Sequence, residues 1–213
     1  MPVIVHDISQ EVFGCAVYPG DPKPEREIRM KISEGAVCNL SAFSMCAHNG
    51  THVDAPLHFI SDGKSIDQIE TDRFVGYAYV AAHSGPILAA DAERILKKAG
   101  ESDDRAAERI LVKGRAVVTA EAAKVFAARR IKLFGNESQT VGPEDAPMEV
   151  HLIMLGAEIV LLEGIRLASV EEGVYLLHAA PLNLGGAEGA PCRATLISPD
   201  EGEIQRYGDQ RNQ

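Results

Sequence analysis

The feature that most constrains this chain is a group of three histidines and one aspartate within eleven residues. His48, His52, Asp54 and His58 lie in the stretch MCAHNGTHVDAPLH, residues 45–58, and the whole chain has only seven histidines. All four positions are even, so an extended strand would place the side chains on one face. Ten residues of strand span about 33 Å, however, which is too far for one metal site. The chain must therefore fold back on itself here.

Turn-forming residues between the four side chains allow that reversal. An Asn-Gly pair follows the first histidine, and both residue types tolerate positive φ. The pattern predicts a strand that ends near His48 and a tight loop that carries His52 and Asp54. A helix or turn then starts near Pro56, which fixes its own φ, with His58 in its first turn.

The ligand types indicate which metals this group would bind. Imidazole and carboxylate together suit Zn²⁺, Mn²⁺ or Fe²⁺, and a group without thiolates disfavours a purely structural zinc site. The cysteines at 15, 38, 46 and 192 include no Cys-x-x-Cys pair, so we expect free thiols in a reducing cytoplasm. Cys46 could share a strand face with His48, although a small buried side chain is the more ordinary role for it.

Residues 48–58, HNGTHVDAPLH, resemble the HxGTHxDxPxH signature of the cyclase-like metal hydrolases. That family includes bacterial kynurenine formamidase and isatin hydrolase. The next segment, GKSIDQI at 63–69, is also similar to the family, and the resemblance covers most of the chain. It implies the swivelling β/α/β fold, a mixed curved sheet with flanking helices. Patterning alone indicates a strand-rich α/β protein with a single domain over residues 1–213.

Two helices and a parallel crossover are predicted in the middle of the chain. Residues 91–99 have apolar positions at helical spacing, with Gly100 as a C-cap signal. Residues 120–130 are rich in alanine and form a second helix candidate. A strand-like run precedes this helix, and a short strand over 131–134, ended by Gly135, follows it. Strand, helix and strand in this order indicate a parallel crossover.

Two further candidate ligands lie about a hundred residues beyond the first group. The sequence predicts a polar loop over 136–151, ending at His151, and a buried strand over 159–162 followed directly by Glu163. A carboxylate after such an apolar run is costly to bury unless it is paired or metal-bound. In the resembling family, a histidine and a glutamate twelve positions apart complete a two-metal site. His151 and Glu163 have that spacing, although the residues alone leave their roles open.

The resemblance thus implies five ligands for one or two divalent ions, zinc being expected and manganese the alternative: His48, His52, Asp54, His151 and Glu163. The first three would hold one ion, and the last two would hold a second together with the aspartate. The metal would activate a water molecule and polarise the scissile carbonyl. His58 would carry protons to the leaving amine, a task that suits imidazole because its ordinary pKa lies near neutral pH.

The expected reaction is metal-dependent hydrolysis of an amide, like that of N-formyl-L-kynurenine to L-kynurenine and formate. In kynurenine formamidases a segment similar to residues 17–25 carries a tryptophan, and Tyr18 stands in its place here. Tyr18 is therefore a candidate substrate contact, or else an aromatic side chain that packs its loop onto the core. Two alternatives stay open: a related hydrolase of a cyclic amide or lactone, as in isatin hydrolase, and a non-catalytic metal-binding protein.

Charge and composition limit the remaining partners. The formal net charge is −10, which argues against nucleic acid or an anionic membrane as a main partner. A small-molecule substrate is what the resemblance implies. The start, MPVIVHDIS, lacks the features of a signal peptide, and no stretch reaches eighteen apolar residues, so we expect a cytoplasmic protein without a membrane span. The resemblance implies a homodimer or homotetramer. The polar tail from Ser198 is expected to be peripheral.

Overall fold

A nine-stranded mixed sheet forms the centre of the computed structural model, which describes residues 4–198. The tail that was expected to be peripheral lies outside the described residues. In chain order the strands are β1 (Val5–Asp7), β2 (Glu25–Met30), β3 (Leu40–Ser44), β4 (His52–Asp54), β5 (Val75–Ala82), β6 (Gly85–Ile87), β7 (Arg109–Lys113), β8 (Ala116–Val118), β9 (Leu133–Asn136), β10 (Val160–Glu163), β11 (Gly173–His178), β12 (Gly189–Pro191) and β13 (Thr195–Ile197). The helices are α1 (Ala89–Ser102), α2 (Ala120–Arg129) and α3 (Met148–Gly156).

The sheet combines a parallel centre with antiparallel flanks. Its spatial order is β1, β13, β11, β5, β7, β9, β10, β4, β12. The four central strands β5, β7, β9 and β10 are parallel, and each neighbour beyond them is antiparallel. The step from β7 through α2 to β9 is the parallel crossover that the sequence predicts. The predicted mixed α/β class is confirmed.

Alternating side chains of the sheet build two cores. In β5, Tyr79 and Ala81 pack with the helices, whereas Ala78 and Val80 face the opposite side. That opposite core joins Val53 of β4 to strands near the other edge of the sheet, such as β13. Side chains from both halves can share one core only if the sheet curls around it. The predicted curved sheet with flanking helices is therefore present.

Two glycines were wrongly predicted to end their elements. Gly100 lies inside α1, which continues to Ser102 because Asp103 still donates its N–H to the carbonyl of Ala99, at 2.8 Å. Gly135 lies inside β9, where a Cβ would come within 2.8 Å of Leu111 Cδ2. This second glycine therefore marks close packing between neighbouring strands.

The local structure around the histidines also differs from the prediction. His52 and Asp54 lie on strand β4, not in a loop, because β10 and β12 pair with it on both sides. The preceding strand β3 ends at Ser44, so His48 lies in a turn four residues beyond it. The predicted polar loop ends earlier than expected, because His151 belongs to α3. The turn at Pro56 is a short 3₁₀ helix that ends at His58, as predicted.

Strands β2 and β3 form a separate hairpin, which we call the β2–β3 arm (residues 25–44). Its two strands pair only with each other, and nearly all of its residues are exposed. Exposed apolar side chains include Ile28, Leu40 and Phe43, the last with 60% of its surface exposed. Within residues 4–198, no helix is long and apolar enough to span a membrane. The four cysteines are free thiols, as predicted.

Candidate metal centre

Strand pairing places three of the candidate ligands on one face of the sheet. Strands β4 and β10 run antiparallel, with Glu163 directly opposite His52 and Leu161 opposite Asp54. Directly opposed residues of an antiparallel pair point to the same face, and so do residues two apart in a strand. His52, Asp54 and Glu163 therefore converge, and one ligand atom of each lies within 4.8 Å of the others.

Helix α3 brings His151 to the same place. Its Nε2 lies 3.3 Å from Glu163 Oε1 and 3.7 Å from Asp54 Oδ2. His52 Nε2 lies 3.4 Å from Asp54 Oδ1 and 3.4 Å from Glu163 Oε2. Each imidazole thus lies between the same two carboxylates, and all four side chains are at most 3% exposed.

The chemistry and spacing of this ring of four fit a divalent metal ion. Bonds of about 2.1 Å to nitrogen and oxygen in a tetrahedral site put neighbouring ligand atoms about 3.4 Å apart, close to the distances seen here. Asp54 Oδ2 is buried and has no hydrogen-bond partner within residues 4–198. A buried carboxylate oxygen without a partner is costly, and a bound cation would remove that cost.

Backbone carbonyls orient the two imidazoles of the ring. The Nδ1–H of His52 donates to the carbonyl of Gly50 at 3.1 Å, and that of His151 donates to the carbonyl of Pro147 at 2.8 Å. In the neutral form of each ring, Nε2 would then be free to bind an ion between the two carboxylates. Metal-binding histidines commonly have their second nitrogen held in this way.

Two more histidines lie beside Asp54. His48 Nδ1 is 2.8 Å from Asp54 Oδ1, and its Nε2 is 3.3 Å from Glu188 Oε1. The ring of His58 stacks on that of His48, with 4.0 Å between centroids. His48, Asp54 and His58 form a second group that could hold an ion, with ligand atoms within 4.8 Å of one another. All six residues predicted as ligands or proton carrier are therefore brought together.

The charges of the carboxylates shift the titration of the histidines. Burial lowers the pKa of His52, but hydrogen bonds and charge from Asp54 and Glu163 more than offset this and raise it to about 10. Burial raises the pKa of Asp54, but hydrogen bonds and charge from His48 and His52 more than offset this and hold it well below its usual range. The pKa of His58 is lowered, chiefly by burial, which keeps its ring neutral near neutral pH.

The glycine-rich segment before β12 contributes contacts that sequence reasoning missed. A Cβ on Gly189 would lie 2.8 Å from His48 Cε1 and 2.8 Å from the carbonyl oxygen of Val53. Only glycine leaves room for the imidazole at this point. The preceding Glu188 supplies the carboxylate near His48. In the sequence, the glycine-rich composition is the signal for this role. It does not show which side chain the glycine makes room for.

A cavity of about 230 Å³ opens onto the centre. Residues that line it include Tyr18, Asp21, Phe59, Gln139 and Thr140, together with four of the histidines and Glu163. The hydroxyl of Tyr18 donates to the carbonyl of Glu144 at 2.8 Å, which ties two loops together beside the cavity. Tyr18, a candidate substrate contact, therefore lies on the wall of the cavity.

A larger groove lies elsewhere on the surface, between α1 and the end of α2. Its volume is about 1070 Å³, but charged side chains on open helix surfaces line it, and no histidine or cysteine is among them. Size alone would favour this groove. The smaller cavity has the convergent, buried polar groups that chemistry requires, so we assign the functional site to it.

Comparisons with known proteins agree with this geometry. Residues 4–143 match the family model Cyclase. The kynurenine formamidase of Erythrobacter litoralis is 32% identical over 213 aligned positions, covering 93% of this chain and 96% of that protein. A solved structure described as a potential metal-dependent hydrolase with cyclase activity has a TM-score of 0.77 at 26% identity, covering 93% of this chain and all of that one.

Isatin hydrolase A from Ralstonia solanacearum shares the fold, with a TM-score of 0.79 at 21% identity and 92% coverage of each chain. The match of the family model spans well over half of the chain, and the similarity to the formamidase spans nearly all of both proteins. The chain is therefore a member of the Cyclase family.

Proposed function

We propose that this protein is a metal-dependent amide hydrolase whose substrate is an aryl formamide of the N-formyl-L-kynurenine type. The observation that carries the proposal is the buried ring of two imidazoles and two carboxylates, with one carboxylate oxygen of Asp54 left without a partner among the described residues. Similarity to kynurenine formamidase supports the substrate class.

The proposed ligands are His48, His52, Asp54, His151 and Glu163. They would hold one or two divalent ions, and their nitrogen and oxygen donors suit zinc, with manganese as the alternative. A cation bound there would lower the pKa of a water molecule towards neutrality and polarise the formyl carbonyl. The amide N–H of Val141 donates to Glu163 Oε1 at 2.8 Å, which fixes the carboxylate in place for this task.

We assign proton transfer to His58. It lines the cavity beside His48, and its lowered pKa leaves the ring neutral and able to accept a proton near neutral pH. As the water oxygen bonds to the formyl carbon, His58 takes a proton from the water. The carbon–nitrogen bond then breaks, and His58 gives the proton to the nitrogen of the leaving amine.

Two aromatic side chains in the cavity wall suit an aryl substrate. Phe59 stacks on His151, with 4.5 Å between ring centroids. Tyr18 is held by the hydrogen bond from its hydroxyl to the carbonyl of Glu144. Both rings have fixed positions beside the proposed ligands. They would hold the aromatic ring of the substrate so that its formamide reaches the metal centre.

A substrate panel on the zinc-loaded protein tests the proposed reaction. It contains an aryl formamide, the cyclic amide isatin and an aryl lactone, each followed by kcat/KM. We expect the formamide to be hydrolysed fastest. A higher kcat/KM for isatin or the lactone would move the protein to the related reaction, and no hydrolysis with full metal occupancy would favour a non-catalytic metal-binding role.

The β2–β3 arm supports a further proposal, that the protein forms a homodimer or homotetramer. A two-stranded hairpin is marginally stable in water by itself, so this arm needs a surface to pack against. Residues 25–44 carry three basic and three acidic side chains, whereas the whole chain has a net charge of −10. A neutral, partly apolar arm can approach a second acidic copy without strong repulsion. The free thiols support a reducing, cytoplasmic location for the assembly.

A further inference from the structure

Apart from the histidines and Glu163, the residues that line the cavity include a negatively charged side chain but no positively charged one. The ionisable residues among them are Tyr18 and Asp21. No lysine or arginine belongs to that lining. Within residues 4–198, no lysine or arginine forms an ion pair with Asp21 either. The carboxylate of Asp21 is thus a negative charge on the cavity wall without a cationic partner.

Local structure holds Asp21 beside the site. Its backbone N–H donates to the carbonyl of Tyr18 at 3.1 Å, which closes a turn between the two wall residues. Its Oδ2 accepts a hydrogen bond from the thiol of Cys46 at 3.6 Å. Cys46 lies two residues before His48, so this contact connects the carboxylate to the loop of the metal centre.

We propose that Asp21 forms a subsite for the positively charged end of the substrate, so that the enzyme favours aryl formamides that carry an ammonium group. This inference rests on the proposed function, because the formamide must lie at the metal centre for the far end to reach the cavity wall. An ammonium group gains a charge-assisted hydrogen bond at Asp21. Asp21 would repel a carboxylate in that place, and no cationic side chain among the lining residues would offset this. A substrate with an ammonium group but no carboxylate should therefore be preferred.

Three substrates that share a 2-formamidophenyl ketone test this subsite. Their side chains end in an ammonium group, a neutral methyl group or a carboxylate. For the wild-type, zinc-loaded protein we expect kcat/KM to fall in that order, with about tenfold between the cation and the neutral compound. Raising the salt concentration should reduce the preference, because screening weakens the attraction.

The variant Asp21→Asn removes the charge and keeps the shape. The ratio of kcat/KM for the cationic and neutral substrates should fall about tenfold. The matched control is Asp62→Asn, which removes the same charge from an exposed turn outside the cavity and should keep the wild-type ratio. An unchanged ratio in Asp21→Asn, or no preference in the wild type, would overturn the subsite while leaving the formamide reaction intact.

Direct binding separates the subsite from the reaction. If the wild type hydrolyses none of the three compounds, the proposed function is wrong, and calorimetric binding of the three corresponding amines to the zinc-loaded protein then decides about Asp21. Tighter binding of the cationic amine that is lost in Asp21→Asn would support the subsite. Equal binding of the cationic and neutral amines would contradict it.

Discussion

Gly189 leaves the space that the His48 imidazole occupies, so a methyl group there should disturb the metal centre. A Cβ at this position would lie 2.8 Å from the carbonyl oxygen of Val53, which as backbone has little freedom to move. We expect Gly189→Ala to weaken zinc binding about tenfold or more, measured by competition with a chelating dye. Gly185→Ala is the control, because a Cβ there would have no heavy atom of residues 4–198 within 4 Å, apart from its chain neighbours. Wild-type affinity in Gly189→Ala would show that His48 does not help to hold the ion.

The role of His58 predicts a variant that keeps its metal and loses its turnover. We expect His58→Gln to lower kcat by about 10²–10⁴, because general acid–base transfer is lost. Zinc content, measured by elemental analysis, should stay at the wild-type value. His83→Gln is the control, since that ring is half-buried, contacts the carbonyl of Pro86 and does not line the cavity. Loss of zinc from His58→Gln would instead make His58 a ligand, as its place beside Asp54 allows.

The raised pKa of His52 predicts a pH dependence of the metal-free protein. The pKa of His52 is about 10 in the folded protein, above the ordinary value of 6.5. The protonated ring therefore makes its full contribution to the stability of the folded protein below about pH 6.5. That contribution is lost as the pH rises from 6.5 to 10. We expect the Tm of the metal-free protein to fall over this range by more than that of His52→Gln. Parallel Tm curves for the two proteins would contradict a charged His52.

The sequence predicts which residues form the centre better than it predicts how they are arranged. The four positions from 48 to 58 follow from local spacing and the family signature. The resemblance groups His48, His52 and Asp54, and both histidines contact this aspartate. The contact of His52 with Glu163 has no such local signal. Pairing between strands a hundred residues apart decides this arrangement, and no local pattern records it.

At the scale of elements, prediction succeeded where the signal lies within the element itself. Helix α2 is rich in alanine, and Thr119 caps it by accepting the N–H of Ala122. Strand β4 has only three residues and no alternation of its own, since all three are buried between β10 and β12. Helix α3 begins inside a stretch that is polar and contains prolines. Tertiary contacts determine both of these short elements.

The β2–β3 arm predicts self-association that depends on its apolar side chains. Ile28 and Phe43 are 50% and 60% exposed, and water would solvate them poorly if no partner covered them. We expect the wild type to elute as a dimer or larger species in size-exclusion chromatography with light scattering, and Ile28→Ser/Phe43→Ser to shift towards the monomer. Leu88→Ser removes an exposed apolar side chain outside the arm and should not change the mass. A monomeric wild type would contradict this assembly.

For the whole molecule, the curled sheet is what makes a metal centre from distant parts of the chain. The ligands come from a turn, from strands β4 and β10, and from helix α3, and each is buried only when the sheet has formed. The crossover through α2 could be predicted from the order of the strand and helix patterns in the sequence. The curl could not, because it depends on strands at both edges that share one core.

Hydrolysis of N-formyl-L-kynurenine by the protein, followed while metal is removed and returned, tests the metal-dependent mechanism most directly. We expect chelation to abolish hydrolysis, and stoichiometric Zn²⁺ or Mn²⁺ to restore it in the wild type. The Glu163→Gln variant should not regain hydrolysis when metal is returned, because it lacks a carboxylate that two histidines of the centre contact. Full activity of wild-type protein that elemental analysis shows to be free of metal would contradict the mechanism.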